Sequence, residues 1–178
     1  MILTPRLQLL PCTLQYFEAL LQGEEVLGEL LNIHIPEPWT EFPEVVLVAY
    51  DKLRNDPSML GWFFYLVIHR EDKCLMGTGG FKGRPNREGA VEIGYEISSP
   101  YRDKGYGTEL TQALVRFAFN HSYVNKVIAH TEEEYNAAVK VLQKSGMHFV
   151  GEAPEQLWKW EISREEYFAL PLNKGLAL

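Results

Sequence analysis

A strand, a glycine-rich loop and a helix follow one another between Ala90 and Asn120, and this stretch constrains the fold more than any other. From Ala90 to Ile97 apolar residues alternate with Glu or Gly, and a period of two predicts a β-strand. Pro100 then interrupts strand pairing. Beyond the loop, apolar residues recur at helical spacing, at Leu110, Ala113, Leu114, Phe117 and Ala118. The chain must therefore turn sharply from a strand into an amphipathic helix.

The loop itself, Arg102 to Thr108, has the composition of an anion-binding site. Gly105 and Gly107 let backbone N–H groups turn toward one point without Cβ atoms in the way. The first N–H groups of the following helix lack internal partners, and the helix dipole adds positive charge there. A plain tight turn would also use glycine, but a Lys and an Arg in the same loop favour a phosphate group.

Three motifs in this stretch resemble the acetyl-CoA motif of the GNAT superfamily of N-acetyltransferases. They are Glu92-Ile93-Gly94-Tyr95, Pro100-Tyr101-Arg102 and Arg102-x-x-Gly105-x-Gly107. The first is similar to the branch that contains ribosomal-protein N-terminal acetyltransferases and their small-molecule relatives. A second stretch, Val124 to Phe149, resembles the later half of the family's domain, with the motif at Asn136-Ala137-Ala138-Val139 and Lys144-Ser145-Gly146-Met147. The resemblance implies acetyl-CoA as cosubstrate, an amine as acceptor and no metal.

Composition narrows the class of protein. A chain of 178 residues with 46% hydrophobic residues suits one domain, 1–178, with a substantial core. The net charge of −7 argues against nucleic acid and favours cationic partners such as amines. The longest apolar run, Trp62 to Ile68, is too short for a membrane span, and Met1 leads into no signal peptide. Cys12 and Cys74 lie beside apolar runs and are expected to be reduced core residues. We therefore expect a cytoplasmic protein, as a monomer or homodimer, away from membranes.

The order of predicted elements gives an α/β (α+β) fold. The patterns predict strands at 4–11, 62–69, 74–82, 90–97, 126–131, 148–151 and 157–162, and helices after Thr13, over 24–31, over 45–53, over the stretch beyond Gly107 and from Asn136 to Ser145. The strands at 62–69, 74–82 and 90–97 form an antiparallel meander, and that at 126–131 is the parallel neighbour of 90–97. Glycines at 77, 79 and 80 suggest a bulge or a closely approached backbone face. The resemblance implies a mixed, mostly antiparallel, twisted sheet of about seven strands flanked by helices, with splayed parallel central strands.

The resemblance also implies the binding residues. The strands ending near Ile97 and Thr131 would separate, so that Ile97 and Ser98 bond the pantetheine arm of coenzyme A through their backbone. The loop residues that would hold the pyrophosphate are Arg102, Asp103, Lys104, Gly105, Tyr106, Gly107 and Thr108. Asn136 matches a family asparagine that commonly bonds pantetheine. It is equally a good N-cap for the helix that it opens, and one residue could fill both roles.

The chemistry needs a group that removes a proton from the acceptor ammonium, because only the free amine has a lone pair. Glu92 and Glu96 lie on one face of the predicted strand and are the candidates. Relatives often use a carboxylate near Glu92, which favours Glu92, although either residue could be a solvated or ion-paired strand residue. The family's usual proton donors fall at Leu142 and Val139, which cannot donate, so the general acid is unassigned.

The sequence thus predicts an N-acetyltransferase acting on a protein N-terminus or a small-molecule amine. Two other functions remain open. The missing proton donors suit a catalytically silent acyl-CoA-binding module, and the glycine loop alone would suit a nucleotide-phosphate binder, although no Gly-Lys-Ser/Thr follows it. Trp39, in the proline-rich loop 32–43, is expected either to contact the acceptor or to anchor that loop in the core.

Overall fold

An eight-stranded sheet with helices on both faces makes up the fold of residues 1–171, which a computed structural model describes. The strands are β1 (Ile2–Leu3), β2 (Leu7–Pro11), β3 (Phe64–His69), β4 (Cys74–Phe81), β5 (Ala90–Ile97), β6 (Lys126–Glu132), β7 (His148–Ala153) and β8 (Leu157–Ser163). The helices are α1 (Leu14–Gln22), α2 (Glu24–Leu31), α3 (Glu44–Asn55), α4 (Tyr106–Phe119), α5 (Ala137–Lys144) and α6 (Arg164–Ala169). The sheet order is β1-β2-β3-β4-β5-β6-β8-β7, and only β5 and β6 are parallel neighbours.

The sheet separates two hydrophobic cores. Helices α4, α5 and α6 cover one face, where Leu110 and Leu114 of α4 belong to the same core as Tyr65 and Val67 of β3. Helices α1, α2 and α3 cover part of the other face, on which Leu66 belongs to the second core. β3 is therefore buried on both sides, which explains its continuous apolar sequence.

The mixed α/β class, the parallel strand pair and the antiparallel meander are confirmed. Within the expected first strand, 4–11, only Leu7–Pro11 (β2) is a strand, because the Thr4 side chain and backbone form a turn with Leu7. A separate short strand, β1 (Ile2–Leu3), precedes this turn and brings the sheet to eight strands. The third strand begins at Phe64, two residues later than predicted. Trp62 packs its ring against Phe81 and Phe117.

The glycines of β4 mark both a bulge and close approaches. The register with β3 shifts between Val67 and Ile68, which confirms the predicted bulge. A Cβ at Gly77 or Gly80 would collide with a carbonyl oxygen of a neighbouring segment, and both glycines have positive φ values that favour glycine. The approaching groups at these two positions are therefore the protein's own backbone.

Two further expectations can be compared with the structure. Cys12 and Cys74 are free, buried thiols, as predicted. Within residues 1–171, no helix combines the length and hydrophobicity that crossing a membrane requires.

Candidate active site

The parallel strands β5 and β6 pair over only three residues of each strand. Their register runs only from Ala90 opposite Lys126 to Glu92 opposite Ile128. Beyond this point β5 stays paired with β4 as far as Ile97, while β6 stays paired with β8 as far as Glu132. The separation that the family resemblance implied is therefore present.

The edge of β5 that β6 leaves carries free backbone groups. The carbonyl of Glu92 and the N–H of Ser98 both bond toward β4, so by alternation the odd-numbered residues point their N–H and C=O groups to the opposite edge. At that edge the Ile97 carbonyl accepts from Arg102 Nε at 2.8 Å. The Ser98 N–H donates to the Met76 carbonyl and its carbonyl accepts from the Tyr101 N–H, so a backbone contact from Ser98 to the cofactor would use the carbonyl's second lone pair and stays a prediction. By the same alternation, both backbone groups of Tyr95 and the N–H of Ile97 face the gap.

The loop after β5 keeps the first turn of α4 open to an anion. Asp103 and Gly105 have φ values of 61° and 81°, which turn the chain into the helix. Gly105 is the N-cap of α4 and has no side chain to occupy the first N–H groups. Those N–H groups point out of the helix and are available to a ligand.

A cavity of about 450 Å³, here called the loop cavity, lies between this loop, the end of β5 and α5. Its lining comprises Glu41, Phe42, Tyr95, Glu96, Ile97, Tyr101, Arg102, Asp103, Gly105, Gly107, Thr108, Ala137, Ala138, Lys140, Val141 and Lys144. Five of the seven predicted loop residues are therefore in its wall. Lys140 and Lys144, one helical turn apart, add two positive charges that the sequence analysis missed; their spacing on the helix that Asn136 opens is the signal that could have found them.

Besides Ser98 and Glu92, three predicted site residues lie outside this wall. Lys104 Nζ donates to the Pro100 carbonyl at 2.9 Å, and the Tyr106 hydroxyl is 2.9 Å from His69 Nε2. Asn136 Oδ1 accepts from the N–H groups of Ala138 and Val139 at 3.0 and 3.2 Å, which confirms it as the N-cap of α5.

A second cavity of about 280 Å³, here called the aromatic cavity, lies on the α3 side of the sheet. Its lining comprises Trp39, Thr40, Phe42, Val45, Val46, Phe63, Phe64, Thr78, Gly79, Gly80, Phe81, Lys82, Gly94, Tyr95 and Glu96. Gly80 and Gly94 stand opposite each other in the β4–β5 register, and a Cβ on Gly94 would meet nothing within 4 Å. Trp39 is buried in the second core as well as lining the cavity, so it anchors its loop and borders the site at once.

Glu96 stands where the two cavities meet. Only Phe42, Tyr95 and Glu96 line both of them within the described chain. The Glu96 carboxylate accepts from the Thr40 hydroxyl at 2.7 Å and from the Glu41 N–H at 2.6 Å. A carboxylate has about four lone-pair positions, so two remain for a ligand or water.

Glu92 has different surroundings. Its Oε1 accepts from Lys82 Nζ and, at 2.8 Å, from Nδ1 of His130. Burial raises the pKa of Glu92, but the hydrogen bonds and charges of Lys82 and His130 outweigh burial and hold that pKa below its usual value. Glu92 lines neither cavity, while Lys82 borders the aromatic one. No sequence pattern indicates a role for His130, because its contact with Glu92 depends on the parallel register of β5 and β6.

Buried apolar residues occupy the two positions at which the family usually carries its proton donor. Leu142 and Val139 are buried in the first core. Tyr135, the nearest tyrosine in sequence, is exposed and its hydroxyl lies 3.4 Å from Gln143. Burial raises the pKa of Tyr95 to about 12, so its phenol stays protonated at neutral pH. Among the described residues, no three His, Cys, Asp or Glu side chains are grouped to hold a metal ion.

Comparison with known proteins gives this geometry a family. The acetyltransferase (GNAT) domain profile matches residues 6–148, most of the chain. The chain belongs to the GNAT acetyltransferase family. It is 27% identical over 109 residues to the uncharacterized N-acetyltransferase YjdG of Bacillus subtilis, and the match covers 61% of this chain and 65% of that relative. The chain thus spans just under two thirds of the length of this curated relative.

Solved structures of GNAT proteins share the fold. A GNAT-family acetyltransferase from Bacillus anthracis superposes with a TM-score of 0.65 at 19% identity, over 92% of this chain and 98% of the other. The spermidine N-acetyltransferase of Vibrio cholerae, solved with CoA and spermine, gives 0.64 at 18% identity, over 93% and 99%. These superpositions establish a common architecture, and the acceptor has to be argued from the site itself.

Proposed function

We propose that this protein transfers an acetyl group from acetyl-CoA to a primary amine. The observation that carries the proposal is the meeting of two cavities at Glu96, beside the gap between β5 and β6. One cavity suits an anionic, amide-containing cofactor and the other suits an acceptor. The solved relatives in complex with coenzyme A are consistent with this use of the fold.

The groups around the loop cavity suit the phosphates and the pantetheine arm of acetyl-CoA. The open N–H groups at the start of α4, with Arg102, Lys140 and Lys144, would hold the phosphates. The free N–H and C=O groups of Tyr95 would pair with the amides of pantetheine, as an added strand does. Arg102 is already bonded to the Glu41 carboxylate at 2.6 Å, so phosphate would have to share or displace that ion pair.

Glu96 is the carboxylate that we propose as the proton acceptor, directly or through one water. The carboxylate takes a proton from the acceptor ammonium, and the freed amine nitrogen forms a bond to the thioester carbonyl carbon. The C–S bond then breaks, and the second proton that the nitrogen loses passes to solvent. The departing thiolate takes its proton from solvent, since Leu142 and Val139 cannot supply one. This proposal reverses the preference for Glu92 that the family resemblance suggested, because Glu92 is tied to Lys82 and His130 outside both cavities.

The test is acetyl-CoA consumption by the purified protein with a panel of amines, followed as release of free thiol and as acetylated product by mass spectrometry. We expect amine-dependent thiol release. An intact thioester with every amine, together with measurable coenzyme A binding, would favour the silent acyl-CoA-binding module. Greater thermal protection by ATP than by coenzyme A would favour the nucleotide-phosphate binder.

A further inference from the structure

The aromatic cavity carries information about the acceptor, because its wall is nearly all apolar. Trp39, Phe42, Phe63 and Phe64 contribute rings and α3 contributes two valines. Only two charged side chains line it within the described chain, Glu96 and Lys82. Lys82 is paired with the Glu92 carboxylate, so its charge is compensated. Glu96 is therefore the one charge in the described wall that no opposite charge compensates, and it is negative.

Where β4 and β5 line this cavity, two glycines without side chains leave space. Gly80 and Gly94 face each other across β4 and β5. Gly80 needs its glycine because the carbonyl of Phe63 occupies the space of a Cβ. Gly94 has no such close neighbour: a Cβ there would point into open space. The absent side chain at Gly94 thus adds to the volume in which an acceptor can lie.

We infer that the acceptor is a primary monoamine with an aryl or branched apolar group a few bonds from its nitrogen. This inference rests on the proposed function and names its substrate class. The ammonium would lie at Glu96, next to the loop cavity, and the apolar group would lie over Gly94 among the rings. Burial of the apolar group stabilises the bound acceptor, while the single carboxylate of Glu96 compensates the charge of a single ammonium.

The same wall disfavours a polyamine. A second or third ammonium would lie against aromatic and aliphatic carbon, or beside Lys82, without a carboxylate of its own. An unpaired cation in such a place loses hydration without compensation. Cation–π contact with a ring recovers only part of that loss.

Steady-state kinetics with matched acceptors test this inference. The panel contains 2-phenylethylamine, phenylalanine amide, a peptide with N-terminal Phe, the same peptide with N-terminal Ala, methylamine and spermidine. We expect kcat/KM for the aryl amines to exceed that for methylamine and spermidine by about 100-fold or more, since one methylene alone is worth about 10-fold or more in an apolar pocket. Preference for the Phe peptide over both free aryl amines would identify a protein N-terminus as the source; the reverse would identify a small molecule.

Larger side chains at Gly94, which would fill the aromatic cavity, provide a second test of the inference. Gly94→Leu should lower kcat/KM for 2-phenylethylamine at least about tenfold more than for methylamine, and Gly94→Ala should have a smaller effect in the same direction. Coenzyme A affinity, measured by calorimetry, should not change, because Gly94 lies outside the loop cavity. Val150→Leu, at an exposed position of β7 outside both cavities, is the control.

The outcomes separate this inference from the proposed function. Spermidine used as well as or better than aryl amines would overturn the substrate class and leave acetyl transfer standing. Equal losses for large and small amines in Gly94→Leu, with coenzyme A binding intact, would also overturn it. Failure to acetylate any amine while coenzyme A binds would overturn the proposed function, and the substrate class with it.

Discussion

Glu96 is the single side chain whose chemistry the proposed reaction depends on most. Glu96→Gln keeps the size of the side chain and an acceptor oxygen but cannot take a proton from an ammonium. We predict that turnover falls about 100-fold or more, the usual contribution of a general base. Affinity for acetyl-CoA, measured by calorimetric titration, should change little. The amide should also weaken the contacts to Thr40 and Glu41, which would add to the KM for the amine.

Glu92→Gln is the matched variant four residues along the same strand. We predict that it leaves turnover close to that of the unmodified protein and lowers the free energy of unfolding, because it removes the carboxylate that Lys82 and His130 share. Denaturant unfolding and initial rates measure the two effects. Should Glu92→Gln lose turnover and Glu96→Gln keep it, the preference for Glu92 from the sequence was right. If both variants keep turnover, water removes the proton.

At the scale of elements, the start of α5 joins stability to cofactor binding. Asn136 Oδ1 satisfies two N–H groups of the helix, so Asn136→Ala should cost about 1 kcal/mol of stability. Asn136→Asp caps equally well but cannot donate a side-chain N–H. A normal melting temperature with weaker coenzyme A binding in the Asp variant would demonstrate a pantetheine contact. Unchanged coenzyme A binding in both variants would leave Asn136 as a cap alone.

The turn into α4 gives another prediction. Gly105 has φ near 81° and ψ near 3°, a left-handed conformation that costs an L-residue about 1–2 kcal/mol. Gly105→Val should therefore lower both the melting temperature and the affinity for coenzyme A. Gly105→Asn should lose less stability, because asparagine tolerates this conformation best among non-glycine residues. Equal melting temperatures for Val and Asn variants would contradict this account.

Local patterns predicted most elements because their causes are local. Alternation of apolar residues predicted β5. Asn136 predicted the start of α5, and Gly146 lies directly after its C-terminal end. Helix α6 was missed, although Ser163 and Glu166 form a capping box whose Ser-x-x-Glu spacing is visible in the sequence. The turn at Thr4 that separates β1 from β2 depends on one side chain's hydrogen bonds, which no periodicity reveals.

At the scale of the whole molecule, the candidate site arises from contacts between distant parts of the chain. The fold brings the proline-rich loop 32–43, β5 and β6 together. Only for this reason does Glu96 form hydrogen bonds with Thr40 and Glu41, and Glu92 with His130. The sequence could predict the loop at Gly105 as an anion site, since that geometry is local. It could not predict which of the two carboxylates borders the cavities, since that depends on where the proline-rich loop folds over the sheet.

One long-range cluster ties the N-terminal segment to α4 and to the loop before it. Glu109 accepts from the Thr4 hydroxyl at 2.6 Å, from the Arg6 N–H at 2.9 Å and from Arg6 Nε at 2.6 Å. Arg6 also donates to the Lys104 carbonyl at 3.0 Å. Burial raises the pKa of Glu109, but the hydrogen bonds from Thr4 and Arg6 and the charge of Arg6 outweigh burial and hold it below the usual value.

This cluster should make the free energy of unfolding depend on pH. A carboxylate whose pKa is lower in the folded state stabilises the fold fully above its unfolded pKa of about 4.3, and that contribution disappears as pH falls through the lower folded pKa. Glu109→Gln should therefore lower the free energy of unfolding by about 1–2 kcal/mol at pH 7, and the difference from the unmodified protein should shrink as pH falls below about 4. Urea unfolding at several pH values measures it, with Glu152→Gln, an exposed carboxylate of β7, as the control. A difference that stays constant from pH 7 to pH 3 would mean that Glu109 acts through packing and not through its charge.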